Sequence, residues 1–454
     1  MGAAPSLDDF HIPPAEAASY PERSGNSVRL LVDGAPAFRR ICEAIEAAHR
    51  SVWATVTFLW ADFRMPDGRG SALDVLNRAA LRGVDVRLLF WRPGAGTELL
   101  KPNAFWGSAD QLALLQASGS AVRIRWDQAH PGYCQHQKSW LIDAGEENAT
   151  AFVGGINLNP HSMALPGHPG EYQNHDAYLE MAGPSVVDVH HNFVQRWNEA
   201  SERLAPDGRW GSGSETSLSF PDRVPGHRGT SVVQIQRTIH PGRYSDGRPA
   251  PECRPFEIAA GERSILEQYG SAISAARRSI YIENHTIDAP QITALLHQAV
   301  QRGVEVVLVM PAGTSLSDNL AASPKRHALI RDWVSLSSCP NFTLAGIAGL
   351  ALNSQRQPVY VHSKIMLVDD VWATVGSCNL HRFSLLGNSE LNAAIWDPVA
   401  VPAFRSELLL EHLDLDTAPL DGRAALQLFH RIAGENRTRF QQGSHQWQGM
   451  AFTL

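Results

Sequence analysis

The sequence predicts an α/β protein made of two tandem, pseudo-symmetric lobes, each a mixed and mostly parallel sheet flanked by helices. Three observations point there. Segments recur in the same order about 220–230 residues apart, close to half of the 454-residue chain. Each recurring segment reads as a helix with an apolar strand. A Gly-, Ser- and Pro-rich stretch separates the two copies.

The first recurring pair is AIEAAHRSVWATVTF, beginning at Ala44, and AISAARRSIYIENHT, beginning at Ala272. Each is a short helix that runs into an apolar strand. The second pair is RAALRGVDVRLLF, around Gly83, and QAVQRGVEVVLVM, around Gly303. Here a glycine stops a helix and a continuous apolar run follows, the pattern of a strand buried on both faces. The third pair is HQKSWLID from His136 and HSKIMLVD from His362. A repeat near half the chain length means a duplicated fold and not a solenoid. The run LAPDGRWGSGSETSLSFPDRVPGHRG, from Leu204 to Gly229, is the divider. The boundaries that follow are 1–205 for the first lobe, 206–230 for the linker and 231–454 for the second lobe. After Gly434 the chain turns polar and Gln-rich, so a loosely ordered tail is expected.

Composition narrows the function classes. With 44% hydrophobic and 19% charged residues the chain is globular. A net charge of −7 argues against a dedicated nucleic-acid binder. No apolar run reaches the roughly 18 residues of a membrane span; the stretch from Phe342 to Leu352 comes nearest and is broken by glycines. The first 26 residues lack the basic start and apolar centre of a secretory signal. A cytoplasmic location is the default expectation, with export by a route that reads other features as the alternative. Five scattered cysteines without a CxxC argue against a disulfide framework. No Cys/His cluster has finger-like spacing, which disfavours zinc. Only four of the 39 basic residues are lysines: Lys101, Lys138, Lys325 and Lys364. That bias toward arginine suggests a bacterial source and makes each retained lysine notable.

Both copies of the third pair carry the same polar string. The first is His136-Gln-Lys138, four residues, Asp143, then after ten residues Gly154-Gly155-Ile156-Asn157. The second is His362-Ser-Lys364, four residues, Asp369, then after six residues Gly376-Ser377-Cys378-Asn379. On a strand, residues i and i+2 share a face, so each His–Lys pair points one way. Each Asp follows its His by seven residues and faces the other side, which gives Asp143 and Asp369 a supporting role. Two histidines brought together by a pseudo-twofold axis can divide labour: one attacks phosphorus and the other protonates the leaving oxygen. The lysines supply compact charge to the phosphate oxygens. The asparagines add neutral donors where charge builds, and such donors are worth roughly 3–4 kcal/mol each in other enzymes. Side chains thus provide the charge neutralisation, and no metal or cofactor is expected. A lone H-x-K or G-S-x-N is common and carries little meaning. The whole string, twice in register and holding two of the four lysines, is specific.

These blocks resemble the paired HKD motifs of the phospholipase D superfamily, and the likeness runs from about Arg50 to Trp396. SIYIENHTI, from Ser279, resembles the strand that opens the family's second lobe. YVHSKIMLVDDVWATVGSCNLHRFSLLGNSELNAAIWD, from Tyr360, resembles its second motif. NHDAYLEMAGPSVVDVHHNFVQRWNEAS, from Asn174, resembles the segment after the first motif in lipid-cleaving members. The resemblance implies a phospholipase D-like fold. It implies His136 as the nucleophile that forms a phosphohistidine, and His362 as general acid and then base. Lys138, Lys364, Asn157 and Asn379 are implied phosphate ligands, with Gly155 and Ser377 at the same subsite. A later carboxylate props each histidine: Glu390 fits that place after His362, and Asp176, with Glu171 as a second candidate, serves the first lobe.

The activity implied is hydrolysis of the head-group phosphodiester of a glycerophospholipid to phosphatidic acid and a free alcohol. It would occur at a membrane or micelle surface, by a monomer. The covalent intermediate also lets an alcohol replace water. Two alternatives stay within the superfamily: a phosphatidyl-transferring lipid synthase, cardiolipin synthase-like, and a non-lipid phosphodiesterase or nuclease. The acidic net charge counts against the nuclease. Intact histidines, lysines and asparagines in both copies count against a scaffold that only binds phosphate.

The remaining features read as follows. Four extra residues around Gly145–Asn148 lengthen a turn of the first motif. Most tryptophans sit in apolar patterns and belong to the core. Trp106 with Phe105, and the loop Leu380–Asn388, are candidates for lipid contact. His161, His168, His175 and His381 are read as tuning loops, and Cys378 as a small packing residue.

Overall fold

The recurring apolar segments become equivalent central strands. β2 (Ser51–Val56) follows β1 (Glu22–Val32) and the helix Gly34–Ala47, and every residue of it is buried. Such a strand cannot alternate in polarity, because both of its faces are covered. The protein is represented by a computed structural model that describes residues 11–93, 120–201, 217–312, 335–351 and 353–454.

In the first half come β3 (Asp85–Trp91), β4 (Arg123–Asp127), β5 (Ser139–Ile142), β6 (Thr150–Gly154), β7 (Asn174–His175) and β8 (Ala177–Ala182). The sheet order is β4-β3-β2-β5-β6-β8-β1. The second half contains β9 (Ser231–Ile239), β10 (Glu262–Arg263), β11 (Ser279–Glu283), β12 (Ile287–Asp288), β13 (Glu305–Val309) and β14 (Phe342–Leu350). It continues with β15 (Arg356–Pro358), β16 (Tyr360–Val361), β17 (Ile365–Val368), β18 (Trp372–Gly376), β19 (Leu380–His381), β20 (Glu390–Trp396) and β21 (Ala451–Thr453). Its order, β14-β13-β11-β17-β18-β20-β9, repeats the first strand for strand. β1 pairs with both β8 and β9, which joins the two sheets edge to edge.

Both sheets are mixed, as expected, but parallel neighbours are confined to β2-β3-β4 and β11-β13-β14. The remaining pairs in each order run antiparallel, which corrects the expectation of mostly parallel strands. The reason lies in the connections. A helix, Ala72–Leu81 or Pro290–Gln301, carries the chain from β2 to β3 and from β11 to β13. The motif strands β5–β6 and β17–β18 follow one another through short turns, and a tight turn can only make an antiparallel pair.

Three large apolar clusters follow from this arrangement among the described residues. Helices Gly34–Ala47 and Ala72–Leu81 cover one face of the first sheet with Phe38, Ile41, Ile45, Val75 and Leu76. Helices Ser264–Ala275 and Pro290–Gln301 do the same for the second with Ile265, Tyr269, Ile292 and Leu296. The other faces of both sheets share a single cluster. There Leu141, Val153 and Leu179 meet Val233, Ile365 and Leu391, beneath Phe193, Trp197, Leu408 and Phe429 from the helices Val186–Asn198, Ala400–Leu413 and Gly422–Gln441. Trp126, Trp140, Trp197, Trp372 and Trp396 are fully buried, in line with their apolar settings; Trp106 and Trp333 lie outside the described residues.

Two segments depart from the sequence reading. Residues 11–19, grouped with the first lobe, pack on the second half: Trp396 Nε1 donates to Ile12 O at 2.8 Å, and Ala15 N to Gln234 Oε1 at 3.1 Å. The tail after Gly434 is ordered. The helix runs on to Gln441, and β21 then adds to β14 with Ala451 and Phe452 buried. Its glutamines lie on the outer side while Ile432, Ala433 and Asn436 face inward, so polar composition hid an amphipathic helix. No helix among the described residues is long and apolar enough to cross a membrane.

Candidate active site

Each motif histidine sits just ahead of a central strand, His136 before β5 and His362 before β17. The two halves meet there through short parallel pairings. β16 lies beside β7, with Val361 opposite His175, and His362 N donates to His175 O at 2.8 Å. The symmetric contact sets Gln135 opposite Ser389, and His136 N donates to Ser389 O at 2.9 Å. Each histidine is therefore registered against the residue that precedes a carboxylate of the other half. His362 Nδ1 is 2.6 Å from Asp176 Oδ2, and His136 Nδ1 is 2.9 Å from Glu390 Oε2. Both carboxylates were picked out in the sequence, but with the partners exchanged: each props the histidine of the opposite lobe. Glu171, the second candidate, is solvent-exposed.

The hydrogen bonds fix a tautomer. Nδ1 of His136 also lies 3.1 Å from the carbonyl of Ser377, which can only accept. Nδ1 therefore carries the proton, and Nε2 bears the lone pair. Burial pushes His136 down to about 4, against the pull of Glu390 and helped by Lys138, so the imidazole is neutral at pH 7. Burial raises Glu390, but His136, Lys138 and the Ser377 hydroxyl together bring its carboxyl below the ordinary value. Burial lifts Asp176 to about 6, opposed chiefly by Lys364. The histidine side chains keep 14% and 12% exposure, so neither ring is sealed from solvent.

Both lysines are buried to 1% exposure, and each Nζ donates to the carbonyl of its own motif histidine. Burial brings Lys364 down to about 7; Asp176 holds it up and Lys138 pushes it further down. The asparagines differ. His285 Nδ1 donates to Asn379 Oδ1 at 2.6 Å, which leaves the Asn379 amide nitrogen as the group that can donate to a ligand. Asn157 Oδ1 has no hydrogen-bond partner. The aligned blocks place Thr57 where the second copy has His285, so the second half alone anchors its asparagine this way.

The Gly155/Ser377 difference is structural. Ser377 Oγ donates to Glu390 Oε2 at 2.6 Å. At position 155 a Cβ would stand 2.4 Å from Asp176 Oδ1, so the shorter carboxylate occupies the space a serine would need. Asp143 and Asp369 lie behind the site, as their spacing indicates. Asp143 accepts from the amides of His49, Arg50 and Ser51, and Asp369 from those of Arg277, Arg278 and Ser279. They fasten the helix-to-strand turns that lead into β2 and β11.

The sequence reading did not single out His285. Its ring stacks on His362 with centroids 5.6 Å apart, and burial, with Lys364 and His362, holds it well below the ordinary value. An imidazole closing an otherwise buried strand was the available signal. Of the other histidines, His381 accepts from Ser384 N and caps the short helix Arg382–Leu386, and His161 packs edge-on against Trp60. His168 and His175 are fully buried, among residues able to hold a metal ion. Cys378 is buried, as a packing residue should be. In the loop Leu380–Asn388, Leu380 and Leu385 face the core and Phe383 is 43% exposed; Tyr360, beside His362, is 42% exposed. Phe105 lies outside the described residues.

A family profile described as "Cardiolipin synthase, PLD-like domain" matches residues 41–197 and 269–409, which hold both motifs. The chain belongs to the phospholipase D-like family. Family members share this duplicated architecture with the chain. Among curated proteins it is similar to cardiolipin synthase A of Pseudomonas entomophila (strain L48), 27% identical over 374 residues, covering 81% of this chain and 64% of that one. It is also similar to phospholipase D A of Dictyostelium discoideum, 26% identical over 461 residues, covering 84% of this chain and 34% of that one. The chain thus spans less than two thirds of the length of these relatives. Among solved structures, phosphatidylserine synthase of Haemophilus influenzae Rd KW20 superposes with a TM-score of 0.57 at 12% identity, over 91% of this chain and 93% of that one. At that identity the likeness concerns the fold.

Proposed function

We propose that the chain transfers phosphatidyl groups between alcohols through a phosphohistidine, in the manner of a cardiolipin synthase. The observation that carries the chemistry is the pair of crossed His–carboxylate contacts beside two buried lysines. In the first step His136 Nε2 attacks phosphorus and a P–N bond forms. The P–O bond to the departing alcohol breaks, and His362 gives that oxygen a proton. Asp176, bonded to His362 Nδ1, stabilises the imidazolium that donates it. In the second step an incoming hydroxyl attacks phosphorus and passes its proton to His362. The P–N bond breaks and His136 returns to its neutral state. Lys138, Lys364 and the asparagine amides hold the phosphate oxygens throughout.

The incoming hydroxyl decides the activity. Water gives phosphatidic acid; a second lipid's alcohol gives a larger lipid. The cardiolipin synthases among the relatives favour lipid-to-lipid transfer. The phospholipase D from Dictyostelium keeps hydrolysis as the second reading. The experiment is to supply phosphatidylglycerol vesicles and follow lipid products. Cardiolipin with release of glycerol is expected, absent in His136→Ala. Phosphatidic acid alone would establish the hydrolase instead. Cleavage of plasmid DNA with both lipid products missing would overturn the lipid assignment.

A further inference from the structure

Behind Asp176 the chain buries a group of side chains that the phosphate chemistry does not use. Asp33, His168 and His175 from the first half, and Glu411 from the helix Ala400–Leu413, each bring one ligand atom within 4.8 Å of all the others. His168 Nε2 is 3.3 Å from Asp33 Oδ2, 3.5 Å from Glu411 Oε1 and 3.4 Å from His175 Nδ1. His175 Nδ1 is 3.1 Å from Asp33 Oδ1 and 3.6 Å from Glu411 Oε2. A tetrahedral zinc ion with bonds of roughly 2.0–2.1 Å has ligand-to-ligand edges of about 3.3–3.4 Å. The two histidines contact different oxygens of Asp33 and of Glu411, and one ligand atom from each residue lies within 4.8 Å of the other three. We propose that these four residues bind one tetrahedral transition-metal ion, zinc by donor type, which ties the two halves together behind the cleft.

Three features of the cluster support an ion at its centre. Asp33 is fully buried, yet its Oδ2 makes no hydrogen bond, and neither does Glu411 Oε2. Two carboxylates facing one buried space require compensation. A proton on His175, which has Asp33 at one ring nitrogen and Glu283 at the other, supplies one positive charge; a dication in its place balances both carboxylates. Second, the two imidazole nitrogens face each other. As a hydrogen bond that contact needs one donor, whereas a metal takes both lone pairs. Third, His175 presents its other nitrogen to a carboxylate, with Nε2 3.1 Å from Glu283 Oε2. Glu283 is held in turn by the Ser363 and Tyr281 hydroxyls, each at 2.6 Å. An outer carboxylate on a ligating histidine is the usual way its tautomer and orientation are fixed. His168 Nδ1 lacks such a partner, so the two imidazoles are held unequally.

The site serves a positioning role. The carbonyl of His175 accepts from the amides of His362 and Ser363, and the next residue is Asp176. An ion that fixes His175 therefore fixes the register of Asp176 against His362. Cysteine and histidine spacing along the chain disfavoured zinc because these ligands come from four separate elements and include no cysteine.

The test needs no lipid. The full chain, purified and desalted, should hold one equivalent of zinc by elemental analysis. Replacement with Co2+ should give the intense visible bands of a tetrahedral centre. His168→Ala and Glu411→Gln should each lose the equivalent, while Cys42→Ser keeps it. The inactive His136→Ala should also keep it, which separates this outcome from that of the proposed reaction. Removing the ion from the wild type should lower its unfolding temperature. Two results would overturn the site: a wild-type protein that holds no zinc and yields no cobalt bands, or a folded His168→Ala that retains the full equivalent. The first of these reads the wild type alone and stands even if both variants misfold.

Discussion

His362 and Asp176, 186 residues apart in the chain, meet with Nδ1 and Oδ2 separated by 2.6 Å. With the matching contact of His136 and Glu390, each motif imidazole is oriented by the half that does not carry it. A carboxamide preserves size at either position. At Asp176 it can offer an N–H to His362 Nδ1 and so select the wrong tautomer, while at Glu390 the Ser377 carbonyl still accepts from His136 Nδ1 and what is lost is the negative charge beside the ring. The same exchange in a serine protease costs about 10⁴ in turnover. Asp176→Asn and Glu390→Gln should each lower kcat by about 10³–10⁴-fold. Circular dichroism should remain that of the wild type. A loss below tenfold in either would mean that the carboxylate does not orient its histidine.

The pH profile should be bell-shaped and lie on the acid side of neutrality. The reaction needs His136 neutral, and that group charges only near pH 4. It needs Lys364 charged, and burial releases that proton near pH 7. In kcat/KM, which reports the unliganded protein, activity should fall below about pH 6, where the buried Asp176 carboxylate takes up a proton before His136 does, and again above about pH 7. Bound phosphate favours the ammonium, so the alkaline limb of kcat should lie at higher pH than that of kcat/KM. Stability moves the other way. Between the folded value and the ordinary 10.5 the unfolded chain binds more protons at this lysine, so its contribution to stability rises with pH there. An alkaline limb unchanged in Lys364→Arg would place the titration on another group.

The duplicated blocks made the fold and the candidate site residues legible. Three matched segments at a near-constant offset implied two equal sheets, and the strand orders are identical. His136, Lys138, His362 and Lys364 could be singled out because the same polar string recurs in register in both halves, although all four lie just ahead of β5 and β17 and not on the strands themselves. What stayed hidden depends on contacts between distant residues. The exchange of Asp176 and Glu390 follows from β7 lying beside β16 and from the Gln135–Ser389 bridge, pairings of one or two residues that leave no periodic trace. The cluster of Asp33, His168, His175 and Glu411 draws on a helix cap, a loop, a short strand and a helix. The order of the tail was missed because an amphipathic face was outweighed by surface glutamines.

Gly155 and Ser377 occupy equivalent places with opposite requirements. A serine at 155 would push its Cβ to 2.4 Å from Asp176 Oδ1. Gly155→Ser should displace the carboxylate and lower kcat by about 10²–10⁴-fold, the range for loss of an oriented acid–base group. Ser377→Ala removes one hydrogen bond to Glu390 Oε2 and creates no clash. A bond to a charged acceptor contributes about 1.5–3 kcal/mol. Its effect should be on the order of tenfold to a hundredfold, smaller than that of the glycine change. Kinetics on both variants check the order; the reverse ranking would mean that Asp176 can move without cost.

Exposed aromatic residues near the histidines give the last prediction. Phe383 projects from the short helix Arg382–Leu386, and Tyr360 stands beside His362; both are more than two fifths exposed. The helix is fixed from below by Leu385 in the core and by the His381 cap, so Phe383 is presented by a rigid base. An aromatic side chain held out beside the cleft can enter the head-group region of a bilayer, where apolar area leaves water. Phe383→Asp removes that area and adds a charge that anionic lipid repels. Vesicle sedimentation should show binding weakened by about tenfold, which corresponds to about 1.4 kcal/mol. Turnover of a short-chain monomeric phospholipid should stay within twofold of wild type, because no bond to the motif residues passes through the Phe383 side chain. Equal loss on vesicles and on monomeric substrate would assign Phe383 to the packing of the cleft instead.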